Sequence, residues 1–401
     1  MGSGGEGNGR EVVVVSGVRT AIGDYGGALK DQPPTELAAQ VIREAVKRAN
    51  VDPKDVGAMV LGNVIHTEAK DMYISRVACL KAGLPQETTA LTVNRLCGSG
   101  LQAIISAAQM IQLGDTDVAV GSGVESMSRG GYLMPTLRWG QRMNDGGVVD
   151  MMVGALTDPF DAVHMGITAE NIAAQWKISR EQQDEFAVES HRRAINAMEK
   201  GYFKDQILPI ELKTRKGTTL FDKDEHPRAD ATVEGMAKLR AVFKKDGSVT
   251  AGNASGINDG AAAVVLMEKS AAAKKGLKPM ARMVSYAFAG VDPKIMGIGP
   301  VPACKIALEK AGLKVSDMDV IEANEAFAVQ AMAVACDLKF DPQKTNPNGG
   351  AVGLGHPIGA TGALITIKAL YELERIGGKY ALVTMCIGGG QGIAAVFERL
   401  H

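Results

Sequence analysis

Residues 41–62 (VIREAVKRANVDPKDVGAMVLG) return 262 positions later as residues 303–324 (ACKIALEKAGLKVSDMDVIEAN). Both stretches read as a helix, an Ala-[Asn/Gly]-[Val/Leu] turn, an Asp and then a strand. Residues 100–121 likewise match residues 362–384, with one residue inserted in the second copy. Repeated βα frames of this length constrain the chain to two similar halves, because two copies are too few for a solenoid. A length of 401 residues agrees, being too long for one ordinary core.

Strand-like and helix-like runs alternate in the first third, and the texture changes only after residue 125. Residues 11–16 form a continuous β-branched run, predicted to be a strand buried on both faces. Apolar residues at helical spacing predict a helix over 35–50, with Thr35 as its N-cap. A strand over 90–96, a helix over 98–113 and a strand over 117–121 follow. Residues 126–153 are rich in Met, Gly and Arg, polar helices are predicted over 168–176 and 179–200, and 212–245 is charged and loop-like. Residues 258–275 return to a buried strand and helix. The expected division is a flexible tail (1–10), an N-terminal half (11–126 with 256–279), an inserted loop domain covering the site (127–255) and a C-terminal half (280–401).

Aromatic residues make up only 4% while Gly numbers 48, so close approach of Ala, Val, Ile, Leu and Met surfaces must build the core. That suits layered α/β packing. A formal net charge of −1 without a basic block argues against a nucleic-acid partner. There is no uninterrupted apolar run of membrane-spanning length. The five cysteines, at 79, 97, 304, 336 and 386, form no CxxC pair, which favours reduced thiols over disulfides or a zinc ribbon. The N-terminus lacks a secretion-signal or transit-peptide pattern, and the C-terminus is not a peroxisomal tripeptide. A cytoplasmic protein is expected, with a peroxisomal one as the alternative.

Four glycine-flanked clusters carry chemistry. Cys97 precedes Gly98-Ser99-Gly100 at a helix start, where free N–H groups and the helix dipole favour a thiolate. His356 is the one imidazole in a run of glycines (NGGAVGLGHPIGATG). Its spacing fits neither GxxxxGK[ST] nor GxGxxG, which argues against a phosphate loop. A histidine there can take a proton from a thiol or donate to an oxyanion. Cys386 ends the last predicted strand, 380–385, just before Gly388-Gly389-Gly390, at the edge where α/β sheets bind ligands. Asn324 closes the strand over 319–323; it reads either as the N-cap of the next helix or as the holder of a water beside an oxyanion. Cys79, Cys304 and Cys336 read as small core residues.

With NRLCGSG, NEAFA, GGAVGLGHPIGATG and CIGGGQG in this order, the chain resembles the thiolases over nearly its whole length. GNASGINDGAA is a further thiolase-like segment. The resemblance implies a five-layered α-β-α-β-α fold from two duplicated halves plus an inserted loop domain. It also implies a mechanism. Cys97, activated by His356, becomes acylated by an acyl-CoA thioester; Cys386 removes a proton from a second acetyl-CoA, whose carbanion attacks the acyl group. One oxyanion site would be His356 with a water held by Asn324, the other the backbone N–H groups of Cys97 and Gly388. No metal or redox cofactor is implied, since coenzyme A is substrate and product.

Within that family His164-Met165 resembles the short-chain acetoacetyl-CoA branch. Ser255 matches a pantetheine contact and Arg228 a residue near the CoA adenine, while Leu156, Phe243, Ala326 and Phe327 match other lining positions. His226 stands where some relatives carry a tyrosine linked to potassium activation. Residues 126–153 correspond to a loop through which such enzymes form tetramers. The expectation is therefore an acetyl-CoA C-acetyltransferase, a homotetramer, condensing two acetyl-CoA and feeding mevalonate synthesis. A degradative 3-ketoacyl-CoA thiolase of broader chain length is the alternative. β-Ketoacyl synthases and hydroxymethylglutaryl-CoA synthases pair their cysteine with other groups than a second cysteine, and a non-catalytic acyl-CoA or lipid carrier would need no such trio.

Overall fold

The computed structural model describes residues 9–214 and 217–401. Most of the expected tail at 1–10 lies outside the described residues. Nine strands form one continuous sheet path: β1 (Val12–Arg19), β2 (Ala58–Gly62), β3 (Thr89–Val93), β4 (Val118–Ser126), β5 (Asn258–Glu268), β6 (Ala281–Gly290), β7 (Val320–Ala323), β8 (Tyr380–Ile387) and β9 (Gln391–Arg399). Their order is β7-β8-β9-β6-β1-β5-β4-β2-β3. The path divides naturally at β6–β1, where only Val13↔Arg282 and Val14↔Ala281 are paired.

On either side of that seam the order repeats. β2 lies parallel to β4, and β4 is followed by antiparallel β5 and β1. In the same way β7 lies parallel to β8, followed by antiparallel β9 and β6. Helix α1 (Pro34–Arg48) packs on β1, β4 and β5, beside α2 (Ile74–Ala82), and forms one outer layer. Its counterpart α6 (Pro300–Ala311) packs on β6, β8 and β9. Helices α3 (Ser99–Leu113) and α8 (Ile358–Ile376) lie in the middle, α8 touching strands of both sheets. The layers are thus α-β-α-β-α.

The two central helices cross at glycines that occupy equivalent places in the duplicated frame. A Cβ on Gly100 would lie 2.7 Å from the Ala363 nitrogen, and one on Gly362 would lie 2.2 Å from the Leu101 nitrogen. Any larger residue at either position would force apart the helices that carry Cys97 and His356 at their N-terminal ends. Helix α3 is also the most apolar long helix, and Leu101, Ile104, Ile105 and Ile111 on it are fully buried in the main core. Strand β5 follows the insertion yet pairs between β1 and β4, returning the chain to the first sheet.

The insertion holds more structure than its composition suggests. Helix α4 (Met165–Trp176) contributes Met165, Ala169 and Ile172 to the core of the second half. Helix α5 (Arg180–Glu199) starts at Ser179 with a reciprocal capping box to Gln182. The expected loop at 212–245 instead contains strand Gly217–Phe221, which pairs with Ile210–Thr214, and a short helix, Val233–Ala237. Two apparent N-caps are also corrected. Pro34 occupies the first turn of α1, so Thr35 is inside the helix, buried, with no partner for its hydroxyl among the described residues. Helix α7 (Ala328–Leu338) begins four residues after Asn324, with Phe327 at its N-cap. Cys79 and Cys304 are buried as expected, but Cys336 is exposed, because an Ala-rich helix reads as apolar on every face.

Candidate active site

A cavity of about 540 Å³ opens where the ends of α3, β9 and α8 meet the insertion. Cys97, His356 and Gly388 line it, as do Leu156, His164, Met165, Arg228, Phe243, Ser255, Ala326 and Phe327. Cys386 and Asn324 lie behind this lining and are buried.

Cys97 sits on the sharp connection from β3 to α3, where Leu96 adopts a positive φ of 42°. Burial pushes its thiol up to about 11, while the backbone N–H groups of Gly388 and of Cys97 itself pull the other way. At this sulfur burial therefore works against the helix terminus, whose N–H groups favour the thiolate. Those same two amides converge on the sulfur, which is the geometry of an oxyanion site.

His356 follows a tight turn in which Gly355 has φ +101° and a Cβ would meet the Asn258 amide at 2.5 Å. The backbone N–H of His356 donates to Asn258 Oδ1 at 2.9 Å. Its ring Nδ1 is 2.6 Å from Thr361 Oγ1, and that hydroxyl donates to the Pro357 carbonyl at 2.9 Å. With its proton so committed, Thr361 accepts from Nδ1–H, leaving Nε2 as the unprotonated nitrogen. Burial holds His356 down to about 4, so the ring is neutral. A neutral imidazole lining the same cavity as Cys97 can accept the thiol proton during attack.

Asn324 Nδ2 approaches His356 Nε2 at 3.4 Å, and its Oδ1 is buried with no partner among the described residues. An unsatisfied carbonyl there suits a water or another donor beside the imidazole. The Cys386 thiol is pushed well up by burial, with the neighbouring Cys97 sulfur adding to the rise. Beyond it, positive φ values at Gly389 and Gly390 turn the chain so that Gly388 faces Cys97.

The wall toward the insertion is aromatic. His164 caps α4 by accepting from the Gly166 N–H, and it stacks on Phe243 at 4.4 Å. Phe243 in turn meets Phe327 edge-on at 6.3 Å. The Ser255 N–H donates to the Ala326 carbonyl, pinning the 250–256 loop to the segment after Asn324. At the mouth Asp24 pairs with His226 Nδ1 at 2.7 Å, close to Arg228.

Sequence reasoning missed Asn258, Thr361 and Glu125. Glu125 accepts N–H bonds from Val64, Ile65, Gly359 and the Asn63 side chain, tying β4 to the first turn of α8. Burial raises its carboxyl to about 8 against the three backbone donors. Thr361 stood inside the quoted glycine run, one turn into the helix, and was the readable one. Asn258 and Glu125 act across 98 and 234 residues, a separation that leaves no local pattern. Among the described residues no group of three or more His, Cys, Asp or Glu is placed to hold a metal ion.

Fold and lining together define an acyltransferase. The family models for the N-terminal and C-terminal domains of thiolase match residues 12–270 and 277–399, and the chain belongs to the thiolase family. It is 68% identical over 392 residues to a beta-ketothiolase of Cupriavidus necator, covering 98% of this chain and 100% of the relative. It is 50% identical to the acetyl-CoA acetyltransferase of Syntrophomonas wolfei, covering 98% and 100%. The crystal structure of the Bacillus anthracis acetyl-CoA acetyltransferase superposes with a TM-score of 0.96 at 50% identity, over 98% of this chain and 99% of that one. That of human mitochondrial 3-ketoacyl-CoA thiolase gives 0.96 at 46%, over 98% and 99%.

Proposed function

We propose that the chain is an acetyl-CoA C-acetyltransferase that interconverts two acetyl-CoA with acetoacetyl-CoA and CoA through an acetyl-Cys97 intermediate. The observation that carries this reading is the convergence of Cys97, the unprotonated Nε2 of neutral His356 and the Gly388 N–H on one cavity. His356 takes the thiol proton as Cys97 attacks the thioester carbonyl, and CoA leaves as the thiol. Asn324 holds the water that, with His356, stabilises one oxyanion; the amides of Cys97 and Gly388 stabilise the other. Cys386 acts as its thiolate: it removes the α-proton of the second acetyl-CoA, the carbanion attacks the acetyl carbonyl, and the proton passes to the Cys97 sulfur as that C–S bond breaks. Arg228, Ser255 and the His164–Phe243–Phe327 wall hold the CoA arm. Exposed Tyr132, Leu137, Trp139 and Met143 support a tetramer formed through the loop after β4. Supply of acetoacetyl-CoA to mevalonate synthesis is the pathway role that goes with condensation.

A second reading, cleavage of longer 3-ketoacyl-CoA, is favoured by the name of the beta-ketothiolase relative and by the apolar lining from Met127, Val242, Ile257 and Met296. Peptide mass spectrometry after mixing with acetoacetyl-CoA tests the core of the proposal: an acetyl group should appear on Cys97, and its absence there during turnover would overturn it. A substrate series from four to ten carbons separates the two readings, with ten-carbon cleavage as fast as four-carbon cleavage deciding for the second.

A further inference from the structure

Two residues before Asn324, strand β7 buries a carboxylate. Glu322 and Lys368 have side chains 1% and 4% exposed, and the ammonium lies 2.9 Å from Glu322 Oε2. Lys368 is on α8, the helix that starts just after His356. Its Nζ also donates to the Gly349 carbonyl at 2.6 Å, at the start of the glycine turn that leads to His356. One ammonium therefore ties together the strand that delivers Asn324, the turn that delivers His356 and the helix that follows it.

Desolvating two charges costs more than their attraction returns unless the geometry is good, so a buried pair is weak evidence for stability. Here a well-packed Leu and Met would satisfy the core equally, but neither could hold the Gly349 carbonyl. Gly349 has φ +81°, and Gly350, Gly353 and Gly355 follow within six residues, so no side chain of their own restrains this turn. A second set of bonds holds the segment around Asn324 and reaches the turn through Val352 and Ser190. Asn346 clamps both the N–H and the carbonyl of Ala323, and Glu325 accepts from Ser190, Asn346 and the Val352 N–H. The bridge through Lys368 differs in bonding β7 directly to α8 while also holding the Gly349 carbonyl.

We propose that Glu322 and Lys368 are positioning residues that hold His356 against Asn324, and that they act on the acylation step. The inference rests on the reading that His356 and Asn324 serve acylation of Cys97. Burial raises the Glu322 carboxyl to about 7 and raises that of Glu325 as well, and Lys368 opposes the rise at both. Removing either partner leaves the other charge uncompensated, so single variants confound folding with positioning. The double variant Glu322→Leu/Lys368→Met removes both charges and keeps apolar volume.

The test is rapid-quench acetylation of Cys97 by acetyl-CoA, with steady-state kcat and KM and a thermal melt, on the full-length parent, the double variant and Glu322→Gln. The double variant should melt within a few degrees of the parent, acetylate Cys97 at least about tenfold more slowly and keep KM within about twofold. Glu322→Gln, which leaves Lys368 its bond to Gly349, should lose less kcat than the double variant. A folded double variant that acetylates at the parent rate overturns the proposal. If the double variant does not fold, unchanged kcat in Glu322→Gln overturns it. Should the parent itself turn over without acetylating Cys97, it is the reading of the site that fails.

Discussion

The Nδ1 atom of His356 lies 2.6 Å from the Thr361 hydroxyl, and this contact decides which imidazole nitrogen faces the cavity. The hydroxyl proton is committed to the Pro357 carbonyl, so Thr361 can only accept. Thr361→Val keeps the shape and removes the acceptor. A buried ring N–H without a partner costs about 1–3 kcal/mol, and the ring then has reason to turn or change tautomer. Acylation of Cys97 should slow by roughly 10- to 100-fold with KM little changed, while Thr361→Ser should recover most of the rate. Stopped-flow acylation kinetics check this, and parent-like kinetics in the valine variant would remove Thr361 from the account.

The two thiols should separate by variant. Cys97→Ala lacks the nucleophile and should show no covalent acetylation. Cys386→Ala should still acetylate Cys97 but lose exchange of the acetyl-CoA α-protons with deuterated solvent, by on the order of 10² or more. NMR of the methyl signal reports the exchange directly. Exchange at the parent rate would mean that another base abstracts the proton.

The protonation states give a pH dependence with a definite sign. The Cys97 thiol is raised to about 11 and His356 is lowered to about 4, so the neutral pair prevails across the neutral range. Iodoacetamide alkylation of Cys97 should therefore keep rising with pH through neutrality and beyond. A plateau beginning below pH 7 would instead mark a preformed thiolate–imidazolium pair. His356 also links pH to stability. Between its unfolded value near 6.5 and about 4, the unfolded chain binds a proton that the native state refuses. Stability from this group is thus present above 6.5 and is lost as pH falls toward 4.

How much was legible follows from where the residues stand. The duplicated frame and the strand-to-helix junctions at Cys97 and His356 were readable because glycine punctuation and helical periodicity are local signals. Thr35 misled because Pro34 takes the first helical turn. Asn324 looked like a cap because nothing in the sequence marks the delay of α7 to Ala328. The burial of Cys97 was not legible for a different reason: a helix terminus can be read from sequence, but desolvation depends on what the rest of the chain places overhead. Glu125, Asn258 and Lys368 hold the site from afar and have no motif of their own.

Anchoring of the insertion is a separate, measurable property. Arg19, at the end of β1, and Asp224 are both fully buried and share two hydrogen bonds, of 2.7 and 3.0 Å. Gln206 accepts from the same guanidinium at 2.7 Å, which lies over the Phe203 ring. Asp224→Ala strands that cation in the core, so urea unfolding should show a loss of about 3–5 kcal/mol. A loss below about 1 kcal/mol would mean that water reaches Arg19.

Chain-length selection should respond to Met165. Its methyl group fills the space over Gly388, where a Cβ would lie only 2.5 Å away, and the side chain lines the cavity beside Cys97. Met165→Ala vacates room on the acyl side without touching His356 or Cys386. Each methylene that moves from water into apolar surroundings contributes about 0.8 kcal/mol. Two further methylenes, from a four-carbon to a six-carbon ketoacyl chain, should shift kcat/KM in favour of the longer substrate by roughly tenfold. The comparison is internal to one variant, so a general loss of activity cancels from the ratio. If the six-carbon to four-carbon ratio matches the parent, Met165 does not bound the acyl chain, and the limit must be set by Leu96 or Met296 on the other sides of the cavity.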